Sequence, residues 1–283
     1  MVASYLRPTG YGIIELPFGP DGRTDLAPLA GVDGLAAVAL QSPNFFGVVE
    51  DLEQASTAIH ASGALLVAGF TEPMAFGLYT NPGRCGADIA CGEGQSLGLP
   101  VSYGGAALGM FACREEFVRN MPGRLVGETV DLEGRRGYVL TLSTREQHIR
   151  RSRAVSNICS NAGHCALTCA MFMASIGGTG FRQTAQANLD LAAYLKKCLE
   201  QAGFSPLASS ATFNEFAMYA PEGFDAIHQK LQSKKILAGL PLARWRKSLP
   251  GIENIDRAWL FGATETSSTE DIDALLQEIK GGA

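Results

Sequence analysis

Two hydrophobic periods divide this chain. The run Leu35 to Leu40 is apolar without a break and stops at Gln41-Ser-Pro-Asn44, as a buried strand closed by turn residues does. Asp51 to Ser62 then has helical spacing, with Leu52, Ala55 and Ile59 on one face and Gly63 in the position of a C-cap. Ala64 to Ala68 is apolar again, so a strand, helix, strand unit is predicted here. Asp88 to Cys91 and Leu108 to Cys113 are two further short strands, and Tyr138 to Ser143 alternates as a half-buried strand would. Tyr11 to Leu16 is also strand-like.

After Arg145 the pattern changes. Glu146 to about Ile176 is small and apolar, Gly177 and Gly178 interrupt it, and Gln183 to Ala202 forms an amphipathic helix closed by Gly203. A strand (Phe213 to Ala220), a helix (Glu222 to Gln232), a strand (Ala258 to Gly262) and a last helix follow. That last helix is capped by Ser268 or Thr269 and striped by Ile272, Leu275, Leu276 and Ile279. The expected architecture is α/β with a mainly parallel sheet over residues 1–155, then connecting helices and a small α+β domain over 156–283.

Composition narrows the partners. A net charge of −5 argues against nucleic acid, which needs a basic face. The sixteen arginines against seven lysines suit fixed contacts at a subunit surface. The first ten residues lack the pattern of a signal peptide, and the most apolar stretch, Ala166 to Ile176, is about half of the ~20 residues a membrane span needs. With seven unevenly spaced cysteines, the expectation is a soluble, cytoplasmic protein with reduced thiols.

Several clusters are chemical candidates. Gly94-Gln-Ser-Leu-Gly98 matches the nucleophile elbow of serine hydrolases, with Asp131 and His148 or His164 following in chain order. That elbow requires a helix beginning at Ser96, and Pro100 and Gly104-Gly105 oppose one. Gly92-x-Gly94 starts like a dinucleotide fingerprint but lacks the following helix and acidic residue, so tight turning at a sheet edge is the plain alternative. Cys159, His164, Cys165 and Cys169 could gather as metal ligands, although Ala166, Leu167, Ala170 and Met171 around them look like core. Arg145, His148, Arg150, Arg151 and Arg153 form a basic run, read as an interface or as a solvated helix face. Arg124 and Glu128, in the glycine-flanked segment Pro122 to Thr129 read as a loop, are candidates for the same interface.

Longer motifs are more specific. Gly86-Ala-Asp-Ile-Ala-Cys-Gly-Glu-Gly-Gln-Ser-Leu-Gly-Leu-Pro-Val-Ser-Tyr-Gly-Gly105, Met121-Pro-Gly-Arg-Leu-Val-Gly-Glu-Thr-Val-Asp131, Thr144-Arg-Glu-Gln-His-Ile-Arg-Arg151 and Ser156-Asn-Ile-Cys159 closely resemble the α subunit of decarboxylating glycine dehydrogenase, the P-protein of the glycine cleavage system. Ser42 to Leu52 and Leu237 to Leu242 look like the same family. The resemblance implies a fold type I, pyridoxal phosphate (PLP)-dependent transferase-like architecture, with the catalytic lysine and PLP on a separate β subunit. Lipoyl H-protein would be reached through the assembled heterotetramer.

In that family Gln95-Ser96 stands where the β subunit's His-Lys pair lies, and Glu72 about where an aspartate meets the pyridine nitrogen. The resemblance thus implies no catalytic residue and no covalent cofactor in this chain, and the core-like surroundings of the cysteines lead to the expectation of no metal. Fittingly, no lysine precedes Lys196. The family's long amino-terminal portion, with its tyrosine-rich segment, has no counterpart before Tyr11, so a partial large domain with an exposed apolar edge is expected. The alternatives are an interaction or relic protein keeping the fold without catalysis, and a serine hydrolase using Ser96.

Overall fold

A computed structural model describes residues 2–123, 125–141, 147–154 and 162–281. After a short exposed helix, α1 (Val2–Leu6), the first sheet assembles from β1 (Ala37–Gln41), β2 (Leu65–Phe70), β3 (Ile89–Glu93) and β4 (Gly109–Cys113). The strands lie in sequence order; β1, β2 and β3 are parallel and β4 closes antiparallel against β3. Between β1 and β2 runs α2 (Leu52–Ala61), which buries Leu52, Ala55 and Ile59 with Val38, Leu40 and Leu66. Fully burying such a side chain stabilises by about 1.5–3 kcal/mol. The Asp51 carboxylate caps α2 by accepting from the Gln54 N–H at 3.0 Å, and Gly63 leaves the helix at φ +78°.

Asp88 pins α2 to this sheet. Its nearly inaccessible carboxylate lies 2.8 Å from His60 Nε2, accepts from the Leu66 N–H at 2.8 Å and pairs with Arg114 Nε at 3.2 Å. Burial alone would raise the Asp88 carboxyl, but the bond to His60, the Leu66 N–H and the Arg114 charge outweigh it and hold the carboxyl below its ordinary value. A depressed folded-state pKa contributes stability that is complete above the unfolded value of about 3.9 and is lost as pH falls through the folded value. Unfolding free energy should therefore fall on acidification below about pH 4. Asp88→Asn should flatten that limb and cost about 1.5–3 kcal/mol near neutrality. Denaturant titrations across the acid range check both, and an unchanged acid limb in the variant would contradict this account.

The hairpin β5 (Leu125–Val130) and β6 (Arg136–Thr141) forms a sheet of its own. The segment read as a loop around Glu128 is thus a strand, its turn closed by the Asp131 N–H to Arg135 carbonyl bond and by Gly134 at φ +78°. Tyr11 to Leu16 makes the opposite correction. It forms no strand, because no described neighbour pairs with it and Pro17 lacks an N–H to donate. A short helix, α3 (Gln147–Arg150), precedes the long α4 (Gly163–Gln201), whose helical path breaks at Gly177 (φ +61°, ψ −177°). Among the described residues no helix is long and apolar enough to cross a membrane.

The second sheet comprises β7 (Ser205–Pro206), β8 (Glu215–Tyr219), β9 (Leu240–Pro241) and β10 (Ala258–Gly262), antiparallel in the order β7-β8-β10-β9. With α5 (Phe224–Ser233) and α6 (Thr269–Gly281) it encloses Phe204, Phe216, Phe224, Trp259 and Phe261, closed by Leu195 and Leu199 of α4 and by Ile272, Leu276 and Ile279 of α6. The Ser268 hydroxyl accepts from the Asp271 N–H at 3.1 Å, capping α6. The two sheet units are fused. Phe46 and Val48 pack with Ala208, Ala217 and Leu242, the Val49 N–H donates to the Ala211 carbonyl, and the Phe213 N–H donates to that of Gly47.

Candidate functional site

Open α/β sheets bind ligands beyond the carboxyl ends of their parallel strands. Here those ends carry Glu72, two residues after β2, and Ser96, three residues after β3. Glu72 caps the 3-10 turn Pro73–Gly77, its Oε1 accepting from the Met74 N–H at 2.9 Å, and the Ser96 hydroxyl donates to the same oxygen at 2.7 Å. Ser96 sits in a turn closed by the Leu97 N–H to Gly94 and the Leu99 N–H to Gln95, while the Gln95 side chain donates to the Leu99 carbonyl at 2.8 Å. Glycine is required around it. Gly98 has φ +86° and an added Cβ would meet Phe172 at 2.7 Å; at Gly92 it would meet the Phe70 carbonyl at 2.1 Å.

The network continues into α4 and the second sheet. Asn214 Nδ2 lies 3.4 Å from both Glu72 Oε2 and Asn188 Oδ1, and Asn188 Nδ2 donates to the Thr184 carbonyl at 2.9 Å and to Glu265 Oε2 at 2.6 Å. Asn188 is only 1% exposed and holds one position of the otherwise apolar stripe Ala185, Ala192, Leu195 and Leu199. Glu215, the exposed first residue of β8, follows Asn214 directly. Protein packed around its carboxyl, and next the Glu72 charge, push it up. None of Glu72, Glu215 and Glu265 forms an ion pair among the described residues. The sequence reading passed over Asn188, Asn214, Glu215 and Glu265; the one signal was an amide inside α4's apolar stripe.

The other candidates separate. No helix starts at Ser96, so the nucleophile elbow is not formed. The serine's partner is Glu72, Asp131 is engaged by Arg135 in the hairpin turn, and His148 and His164 are exposed on α3 and α4. Cys165 and Cys169 point at different carbonyls, those of Ala106 at 3.9 Å and Gly94 at 3.6 Å. Burial first, then Cys165 and Glu93, push the Cys169 thiol up and keep it neutral. Cys159 lies outside the described residues, among which no group of three His, Cys, Asp or Glu is placed to hold a metal.

Ala166, Leu167, Ala170 and Met171, expected in the core, are exposed instead, because Cys169 and Phe172 on the opposite side of α4 make its contacts with the chain. Glu128 lies on β5, and His148 and Arg150 lie on α3, all three exposed. Arg124 and Arg145 lie outside the described residues.

The family model of the glycine cleavage system P-protein matches residues 1–279. This chain belongs to that family. Among P-protein relatives, "probable glycine dehydrogenase (decarboxylating) subunit 1" of Desulfotalea psychrophila is 54% identical over 280 residues, covering 99% of this chain and 61% of its own length. The protein of that name from Thermotoga maritima is 44% identical, covering 99% of this chain and 62% of its own. The chain therefore spans about six-tenths of the length of these relatives.

A crystal structure of a P-protein, glycine decarboxylase in inhibitor-bound form, superposes over 100% of this chain and 62% of its own, with a TM-score of 0.89 and 39% identity. A cysteine desulfurase from Thermococcus onnurineus matches at a TM-score of 0.65 and 19% identity, which speaks to the fold alone. The fold is that of fold type I PLP-dependent enzymes.

The crevice residues do not fit PLP held in this chain. Its tether is a lysine amine. The residues gathered at the strand ends are a serine, two amides and three carboxylates, and every lysine follows residue 195. Lys196 lies over the Phe216 ring in the second core and Lys234 pairs with Glu278. Carboxylates without a cationic partner also disfavour a phosphate.

Proposed function

We propose that this chain is the lysine-free part of a decarboxylating glycine dehydrogenase, shaping the active site of a lysine-bearing β subunit that holds PLP. The observation that carries this reading is the Ser96 to Glu72 hydrogen bond, at the strand ends where the resemblance sets the β subunit's lysine. In this reading PLP supplies the electron sink for decarboxylation within the partner. This chain's residues hold the strand ends and the second sheet in a fixed arrangement beside it.

The assembly is a cytoplasmic heterotetramer, and lipoyl H-protein meets it as the acceptor. Glu128, His148 and Arg150 on the exposed hairpin and α3, with Arg124 and Arg145, are the interface candidates. Arginine's planar fork suits fixed carboxylate contacts across such an interface.

Gel filtration of the chain mixed with its lysine-bearing partner tests the association. The expected result is a single species larger than either component, with cofactor absorbance contributed by the partner. Separate elution of two folded proteins would contradict the reading.

A further inference from the structure

We infer that Ser96, Glu72, Asn214, Asn188 and Glu265 form a lock that fixes α4 and the second sheet unit against the strand ends of the first. The five residues come from separate segments: the turns after β2 and β3, the second half of α4, the entry to β8 and the loop after β10. Asn214 directly follows Phe213, so the lock continues the seam where the Val49 and Phe213 N–H groups donate to the carbonyls of Ala211 and Gly47. The bond from Asn214 to Glu72 crosses between the units, and Ser96 on one side and Asn188 with Glu265 on the other hold its two ends.

The chemistry favours a lock over a binding site, because the amino groups of both amides are already used. Asn188 donates twice, to Thr184 and Glu265, and accepts from Asn214; Asn214 divides its amino group between Asn188 and Glu72. Glu72 accepts three times, from Ser96, Met74 and Asn214. An apolar side chain at position 188 would continue the stripe of α4 at no desolvation cost. A fully bonded buried amide instead specifies one arrangement of the elements it joins. These five are positioning residues, and the lock stands on this geometry whether or not the chain meets its proposed partner.

Hydrogen exchange measured by mass spectrometry on the full chain tests the lock. Asn188→Leu keeps the branched shape with somewhat greater bulk and removes the bonds, Ser96→Ala removes the hydroxyl, and Ser96→Thr restores it. The expected result is exchange on the order of tenfold faster in peptides covering residues 72–78 and 212–216 for Asn188→Leu and Ser96→Ala, with β1 and β2 unchanged. Ser96→Thr should return the slow rate. Unchanged exchange in both variants, or an equal rise in every element, would overturn the inference.

Discussion

Replacing Gly47 by alanine should remove about 3–5 kcal/mol of unfolding free energy, a magnitude reached by a short set of mechanisms that includes strain at a special backbone angle. Gly47 has φ +77°, and a Cβ there would lie 1.9 Å from the Glu215 carbonyl oxygen and 2.3 Å from its carbon. The obstacle is backbone rather than a flexible side-chain end, and Glu215 is the first residue of β8, paired with Gly262 of β10. Neither side can yield without breaking the seam between the sheet units, where the Gly47 carbonyl accepts from the Phe213 N–H. Gly12→Ala is the control, since nothing lies within 4 Å of the added carbon and φ is not positive. It should fall within about 0.5 kcal/mol of the parent. Urea unfolding of the three proteins decides the matter, and a loss below about 1 kcal/mol at Gly47 would contradict the described seam.

Phe213→Ala should have a comparable effect. Phe213 is 1% exposed and sits where Met74 and Ala75 of the first unit, Leu97 of the Ser96 turn and Cys169 and Ala185 of α4 converge. Truncating a buried phenylalanine costs about 3–5 kcal/mol, because the lost transfer energy is joined by that of the cavity left behind. Since its own N–H bonds Gly47, the two substitutions share a seam and should not add. The double variant should depart from the sum of the singles by about 0.5–3 kcal/mol. Additivity within about 0.3 kcal/mol would show that the ring and the glycine act independently.

The regular elements were legible because their apolar spacing is local. Leu52, Ala55 and Ile59 announce α2, and Ile272, Leu276 and Ile279 announce α6, in positions the structure buries. The hairpin was half missed, since β5 leaves Val126, Glu128 and Val130 all exposed and so has no hydrophobic face to read. Conversely, Ile13 and Ile14 look like strand residues, but a strand requires a neighbour, and their sequence does not say whether one exists. The first half of α4 misled for a related reason. Leu167 and Met171 have the composition of core, while burial depends on what the rest of the fold brings to that face.

The site was legible in part. Gln95-Ser96 and Glu72 were singled out only through the family resemblance, and the structure shows the Ser96 hydroxyl bonded to Glu72 at the strand ends. Asn188, Asn214 and Glu265 are distant in sequence from that turn and from one another, so only the assembled fold reveals that they continue the same hydrogen-bonded chain. Gly47 was hidden for the same reason, because its collision partner is the Glu215 backbone.

The measurement that tests the central claim most directly is glycine-dependent exchange of labelled bicarbonate with H-protein present, using this chain and the lysine-bearing subunit purified separately and then mixed. The expected result is no exchange from this chain alone, and exchange from the mixture that rises with added chain and levels off at equimolar ratio. Exchange by this chain in isolation, or a mixture no more active than the lysine-bearing subunit by itself, would contradict it.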